Sequence, residues 1–167
     1  PYVEIESEGV RYILAKALVG NFFENYTVVV EKKGSEWEGL EYEPLFAETT
    51  AEVKRISPAN AAIKAHYVVC DTYVTMGDGT GVVHIAPAFG EDDYKVGKRY
   101  GLPVVQLVNE RGCFDGRFPA LDGLFAKKAD KIIIEMLEKE GKLFKVVPFE
   151  HDYPHCWRCD TPLLYYA

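Results

Sequence analysis

The sequence predicts an α+β domain built round a closed or nearly closed β-barrel, with its helices on the periphery. Three observations carry that expectation. Short runs of β-branched and aromatic residues recur along the chain, which has 11 Tyr and 9 Phe in 167 residues; such residues fit the pleated surface of a sheet. Turn residues, chiefly glycine and proline, separate these runs. Strand-like runs outnumber helical ones, which leaves the helices on the outside.

Taken in order, residues 2–6 alternate as a strand, and Arg11 to Leu14 reads as a second one leading into a helix from about Ala15 to Phe23. Tyr26 to Val30 is a β-branched strand closed by the charged turn Glu31-Lys32-Lys33-Gly34. Gly39 to Phe46 reads as extended, ended by Pro44. Residues 47–65 are polar, without a clear period, and read as a surface insertion. His66 to Met76 is a strong strand, Gly77 to Gly81 a hairpin turn, and Val82 to Ala86 the returning partner. Period two then sets Val82, His84 and Ala86 on one face and Val83 and Ile85 on the other. After a proline loop, Glu91 opens a short helix that ends near Tyr100, with Gly101 as its stop. Pro103 to Val108 is a further strand. The clearest helix runs from about Leu124 to Glu140, with Ala129, Ile132, Ile133, Met136 and Leu137 on one face, and Leu143 to Val147 returns as a strand.

The totals exclude several function classes. No apolar run approaches the roughly 20 residues that span a bilayer, and no basic-then-apolar leader opens the chain. The hydrophobic fraction of 48% and the length suit one domain with its own core. The formal charge of −7 argues against tight independent binding to nucleic acid, since such binding neutralises phosphates. The four cysteines, Cys70, Cys113, Cys156 and Cys159, are too few for a secreted disulfide scaffold and point to a reducing, cytoplasmic compartment. Both ends read as cut: the chain starts inside a strand pattern and stops on an apolar run.

The chemistry concentrates in Gly79 to Tyr94, GTGVVHIAPAFGEDDY. His84 on an apolar strand is either a satisfied structural imidazole or the wall of a shallow pocket. Asp92 and Asp93 start a helix, where acids complement the dipole and cap free N–H groups. One suffices for that, which leaves the other for a substrate ammonium. Adjacent helical residues diverge by about 100°, so the two do not flank one bond as a glycosidase pair would. Gly79-Thr80-Gly81 lacks the third glycine and the following helix of a phosphate loop. The CxxC of Cys156 and Cys159 has three readings: a redox pair, half a zinc site aided by His151, His155 or ligands elsewhere, or two unrelated thiols.

The run Gly79-Thr80-Gly81-Val82-Val83-His84-Ile85-Ala86-Pro87, followed by Gly90 and Asp92-Asp93-Tyr94, resembles the editing insertion of isoleucyl-tRNA synthetases. Tyr153-Pro154-His155-Cys156-Trp157-Arg158-Cys159 with Thr161-Pro162-Leu163 is similar to the stretch where that insertion returns to the catalytic core, and Gly39-Leu40, Tyr42 and Pro44 also fit. Valyl- and leucyl-tRNA synthetases share the glycine-histidine-aspartate theme. The Pro-His-Cys-Trp-Arg-Cys run favours the isoleucine family over its valyl relative.

The resemblance implies an editing domain of the valyl/isoleucyl/leucyl type, with its body at 1–148 and a return segment at 149–167. The threonine-rich strand that precedes it in the family has no counterpart here, so a catalytically incomplete folding or binding fragment is an alternative. It implies hydrolysis of valine wrongly esterified to tRNA(Ile), whose acceptor end is the expected partner together with the rest of the synthetase. One missing methylene gives only about 1–3 kcal/mol of discrimination, a magnitude for which this very family is the standard worked example. A second, smaller site is therefore required. By motif position, His84 is implied beside the substrate side chain and Asp93 as the ammonium anchor. Gly79, Thr80, Gly81 and Asp92 are implied as substrate-binding neighbours. Editing itself needs no cofactor; ATP and Mg belong to the full-length enzyme, and zinc on Cys156 and Cys159 would need ligands outside this chain.

Overall fold

The computed structural model describes residues 1–57, 64–148, 150 and 152–166. Its regular sheet is three antiparallel strands in the order β2-β1-β3, with β1 at Tyr2–Ser7, β2 at Val10–Ala15 and β3 at Thr27–Lys32. β1 and β2 join through a two-residue turn in which Glu8 and Gly9 both take positive φ, 52° and 79°. That turn matches the twist of a hairpin and favours glycine at its second position. The register pairs Tyr2 with Ala15 and Ser7 with Val10; on the other side Tyr2 pairs with Lys32, with an irregularity between Glu4 and Ile5. Val3 and Ile5 of β1 and Leu14 of β2 are buried with Val19, while Tyr12, Phe22 and Phe23 pack against them.

The expected helix at 15–23 is a 3-10 turn, Lys16–Asn21. Ala15 stays in the β ladder and donates its N–H to Thr80 O at 2.9 Å, which delays the start. The surface-insertion reading of 47–65 is corrected at its start: Ala47–Ile56 is a helix, α1, and its Glu52 is only 4% exposed, while 58–63 lie outside the described residues. The second helix, α2 (Glu91–Tyr100), falls where the sequence puts it. Gly101 closes it in the left-handed region at φ 67°, and the cap N–H groups return to Gly97 O and Lys98 O. The third helix, α3 (Asp130–Lys139), starts later than the apolar stripe suggests. Backbone at 112–114 pairs with 123–126 instead, through Phe114 N–H to Leu124 O and Ala126 N–H to Gly112 O, which holds those residues out of a helix. A second core forms here from Leu107, Phe118, Leu121 and Ala129, with Ile132, Ile133 and Met136 of α3 packed on it.

The α+β character stands, but the sheet is open and no barrel closes among the described residues. The segments expected as barrel staves at 66–76, 82–86, 103–108 and 143–147 run without a ladder. Backbone pairing explains the difference. Residues 66–68 bond to 39–42 (Gly39 N–H to Val68 O, Val68 N–H to Leu40 O, Tyr42 N–H to His66 O), so they do not fold back on 82–86 as a hairpin. Val108 makes one bridge, to Phe114. The 143–147 segment attaches by a side chain: the Phe144 ring packs 5.4 Å from Tyr12 and 5.5 Å from Phe23, between centroids.

Candidate functional site

The Gly79–Tyr94 stretch wraps one end of the sheet and one side of α2. Tyr2 Oη donates to Gly81 O at 2.7 Å, and Thr80 O receives the Ala15 N–H, so the glycine turn is fastened to the first hairpin. From there the chain passes His84 and the proline loop into α2. Gly90 precedes the helix because Asp93 folds back over it: a Cβ at position 90 would meet Asp93 Oδ2 at 2.8 Å. The returning carboxylate accepts the Ala86 N–H at 3.0 Å, so the acid at the third helical position holds the loop that leads in.

A cavity of about 690 Å³ lies between this stretch and the sheet. Its walls are mostly apolar and aromatic: Tyr2, Trp37, Tyr67 and Tyr73, with Thr80, Gly81 and His84 along one side. That size and chemistry are those of a small-ligand site. The Trp37 Nε1–H is buried without a hydrogen-bond partner among the described residues.

The expected site residues divide around this cavity. Thr80, Gly81 and His84 line it; Gly79 stands outside its wall, in the open turn. Val82, His84 and Ala86 are all exposed, but so is Val83, so the expected alternation is incomplete. Asp93 does not itself line the cavity. It reaches the wall through Tyr73, whose hydroxyl donates to Asp93 Oδ1 at 2.9 Å. Asp92 points the other way, exposed and 3.7 Å from Lys95 on the next turn of α2. The two acids thus separate as helical geometry requires, one fixing the loop and one facing solvent.

Sequence reasoning missed Tyr73, Trp37 and His66. Tyr73 looked like a strand aromatic. Burial, then the neighbouring Asp93 carboxylate, raise its phenol well above the ordinary value, so it stays a neutral donor. His66 lies 3.4 Å from Thr50 of α1 and edge-on to Tyr42, which lines the cavity. Burial, then the field of His84, lower its pKa, which keeps it neutral at pH 7.

The C-terminal thiols form a compact turn. Asp160 N–H bonds to Cys156 O at 2.8 Å, Cys156 N–H to Thr161 O at 2.9 Å, and His155 bridges Pro162. Cys159 Sγ lies 3.2 Å from Thr161 Oγ1, and hydrogen bonds from Thr161 and then Cys156 lower its thiol pKa. His155 turns its Nδ1–H to Tyr153 O at 2.9 Å. Two adjacent thiols fit half of a tetrahedral zinc set. Among the described residues no group of three or more His, Cys, Asp or Glu is arranged to hold a metal ion, and His151 lies outside the described residues. No described helix is long and apolar enough to cross a membrane.

No protein-family model matches the chain. It is 50% identical over 165 residues to an isoleucine–tRNA ligase of Clostridium acetobutylicum, an alignment that covers 99% of this chain and 15% of that protein. An isoleucine–tRNA ligase of Clostridium novyi is 49% identical over 166 residues, with the same coverage. One from Streptomyces avermitilis is 59% identical over 103 residues, 62% of this chain and 10% of that protein. The chain spans about 15% of the length of the relatives that it matches from end to end. Over nearly all of its own length, then, this chain belongs to the isoleucine–tRNA ligase family, as a segment of such a ligase.

Proposed function

We propose that this chain is the editing module of an isoleucine–tRNA ligase and that it hydrolyses valine wrongly esterified to tRNA(Ile). The observation that supports this most is the pairing of a small aromatic cavity, with His84 on its wall, and a carboxylate, Asp93, held one side chain behind that wall. The ammonium of an aminoacyl ester would be drawn to Asp93 and its aliphatic side chain would meet the apolar wall, where His84 limits its size. No serine or cysteine nucleophile needs to be invoked. An activated ester yields to a positioned water, and holding ester and water together supplies much of the rate. The rest of the ligase would act in cis, using ATP and Mg to charge the tRNA and presenting its acceptor end to this module in the cytoplasm. The net charge of −7 fits a module that does not grip nucleic acid by itself. Cys156 and Cys159 would hold a structural zinc only with two ligands from elsewhere in the ligase.

A second reading, a folding and docking segment without hydrolytic activity, is favoured by one feature: both Asp93 oxygens already have protein partners. Deacylation of valyl-tRNA(Ile) by the full-length ligase separates the two. On the editing reading Asp93→Ala loses a charge-assisted contact and deacylation falls by about 10- to 100-fold. Deacylation that persists at the wild-type rate in Asp93→Ala would favour the docking reading.

A further inference from the structure

Tyr73 stands between the cavity and Asp93. Its hydroxyl proton is committed to Asp93 Oδ1 at 2.9 Å, because an ionised carboxylate only accepts. The other oxygen, Oδ2, takes the Ala86 N–H at 3.0 Å. A donor from the loop and a donor from the cavity wall thus fix both oxygens, and with them the rotation of the carboxylate. Removing the hydroxyl leaves Asp93 pinned at one oxygen and free to swing about it.

The tyrosine is itself set by the far end of the same helix. Asp71 Oδ1 accepts the N–H of Thr72 at 2.6 Å and of Tyr73 at 3.4 Å, and its Oδ2 accepts from Arg99 of α2 at 2.6 Å. Arg99 also donates to Cys70 O at 2.8 Å. Tyr100 Oη donates to Cys70 O at 3.1 Å and accepts the Cys70 N–H at 3.2 Å. Residues 70–73 are therefore tied to the last turn of α2, and Tyr73 reaches along the helix to the acid of its first turn.

We propose that Tyr73 is the positioning residue for Asp93, its hydroxyl at the cavity wall fixing the rotation of the carboxylate behind it. This rests on the editing reading, in which Asp93 receives the substrate ammonium.

The test is a double-mutant cycle in the full-length ligase, with deacylation of valyl-tRNA(Ile) followed under steady state and the thermal midpoint measured for each variant. Tyr73→Phe is expected to lower kcat/KM by about tenfold, the scale of one hydrogen bond to a charged group. The loss should appear in KM, with the midpoint within a few degrees of wild type. Tyr73→Phe added to Asp93→Asn should cost nothing further, since the phenol acts through the carboxylate. Losses that multiply, an unaltered Tyr73→Phe enzyme, or a fall in kcat alongside a lowered midpoint would overturn the proposal and leave the editing reading standing. An Asp93→Asn enzyme with wild-type deacylation would overturn both.

Discussion

Arg117 donates to the carboxylate of Glu52, joining α1 to the loop that enters the second core at Phe118, across 65 residues of sequence. The same guanidinium grips Asp115 through Nε and Nη2, the latter at 2.6 Å, and Glu52 takes Arg55 on its own helix at 2.6 Å. Glu52 is 4% exposed, so its charge needs these partners. Glu52→Ala should lower stability by about 2 kcal/mol. That is less than for a fully stranded ion, because Arg117 keeps Asp115. A lower urea midpoint with an unchanged slope is the expected observation.

The same cluster sets an acid response. The Arg55 hydrogen bond, outweighing burial, holds Glu52 below the ordinary glutamate range, and the Arg117 hydrogen bond does the same for Asp115. A depressed folded-state pKa means that the native state binds fewer protons than the unfolded chain in acid. The stability is fully present above the ordinary carboxylate values of about 4 and is lost as pH falls through the lower folded ones. Urea midpoints should therefore fall as pH drops below about 4, and Arg117→Met should flatten that fall.

Gly81 and Gly79 both take positive φ, 73° and 59°, but their surroundings differ. A Cβ at 81 would lie 2.6 Å from Ala15 Cβ, whereas nothing lies within 4 Å of one at 79. Gly79→Ala should cost about 1 kcal/mol from backbone strain alone, and Gly81→Ala about 2–3 kcal/mol because the sheet end must shift as well. Thermal melts of the two variants, compared directly, read the difference.

Thiol chemistry should follow environment. Cys159 is exposed and lowered by its Thr161 hydrogen bond, while burial, then Glu38, raise the half-buried Cys70. Iodoacetamide at pH 7.5 should modify Cys159 several-fold faster than Cys70, as read by peptide mass spectrometry. Thr161→Val should narrow that ratio.

The parts of this fold that are legible in sequence are those set by local chemistry. The acids at 91–93 and the glycine at 101 mark α2 at both ends, and alternation marks β1. α1 escapes because its buried face is not an apolar stripe: AETTAEVKRI buries a glutamate through arginine partners, which no periodicity records. The open sheet escapes because the partner of 66–68 is chosen by distant backbone at 39–42, and β-branched runs do not name their neighbours. In the site, His84 stood out as a histidine among valines, whereas Tyr73 was one of 11 tyrosines, and only its approach to Asp93 distinguishes it.

Fastening α2 at its first and last turns to the one short stretch at 70–73 has a mechanical outcome. Helix and stretch travel as a single body, so a fluctuation that displaces one carries the other and the gap between phenol and carboxylate keeps its width. A gauge built in this way can drift relative to the rest of the molecule without losing its calibration.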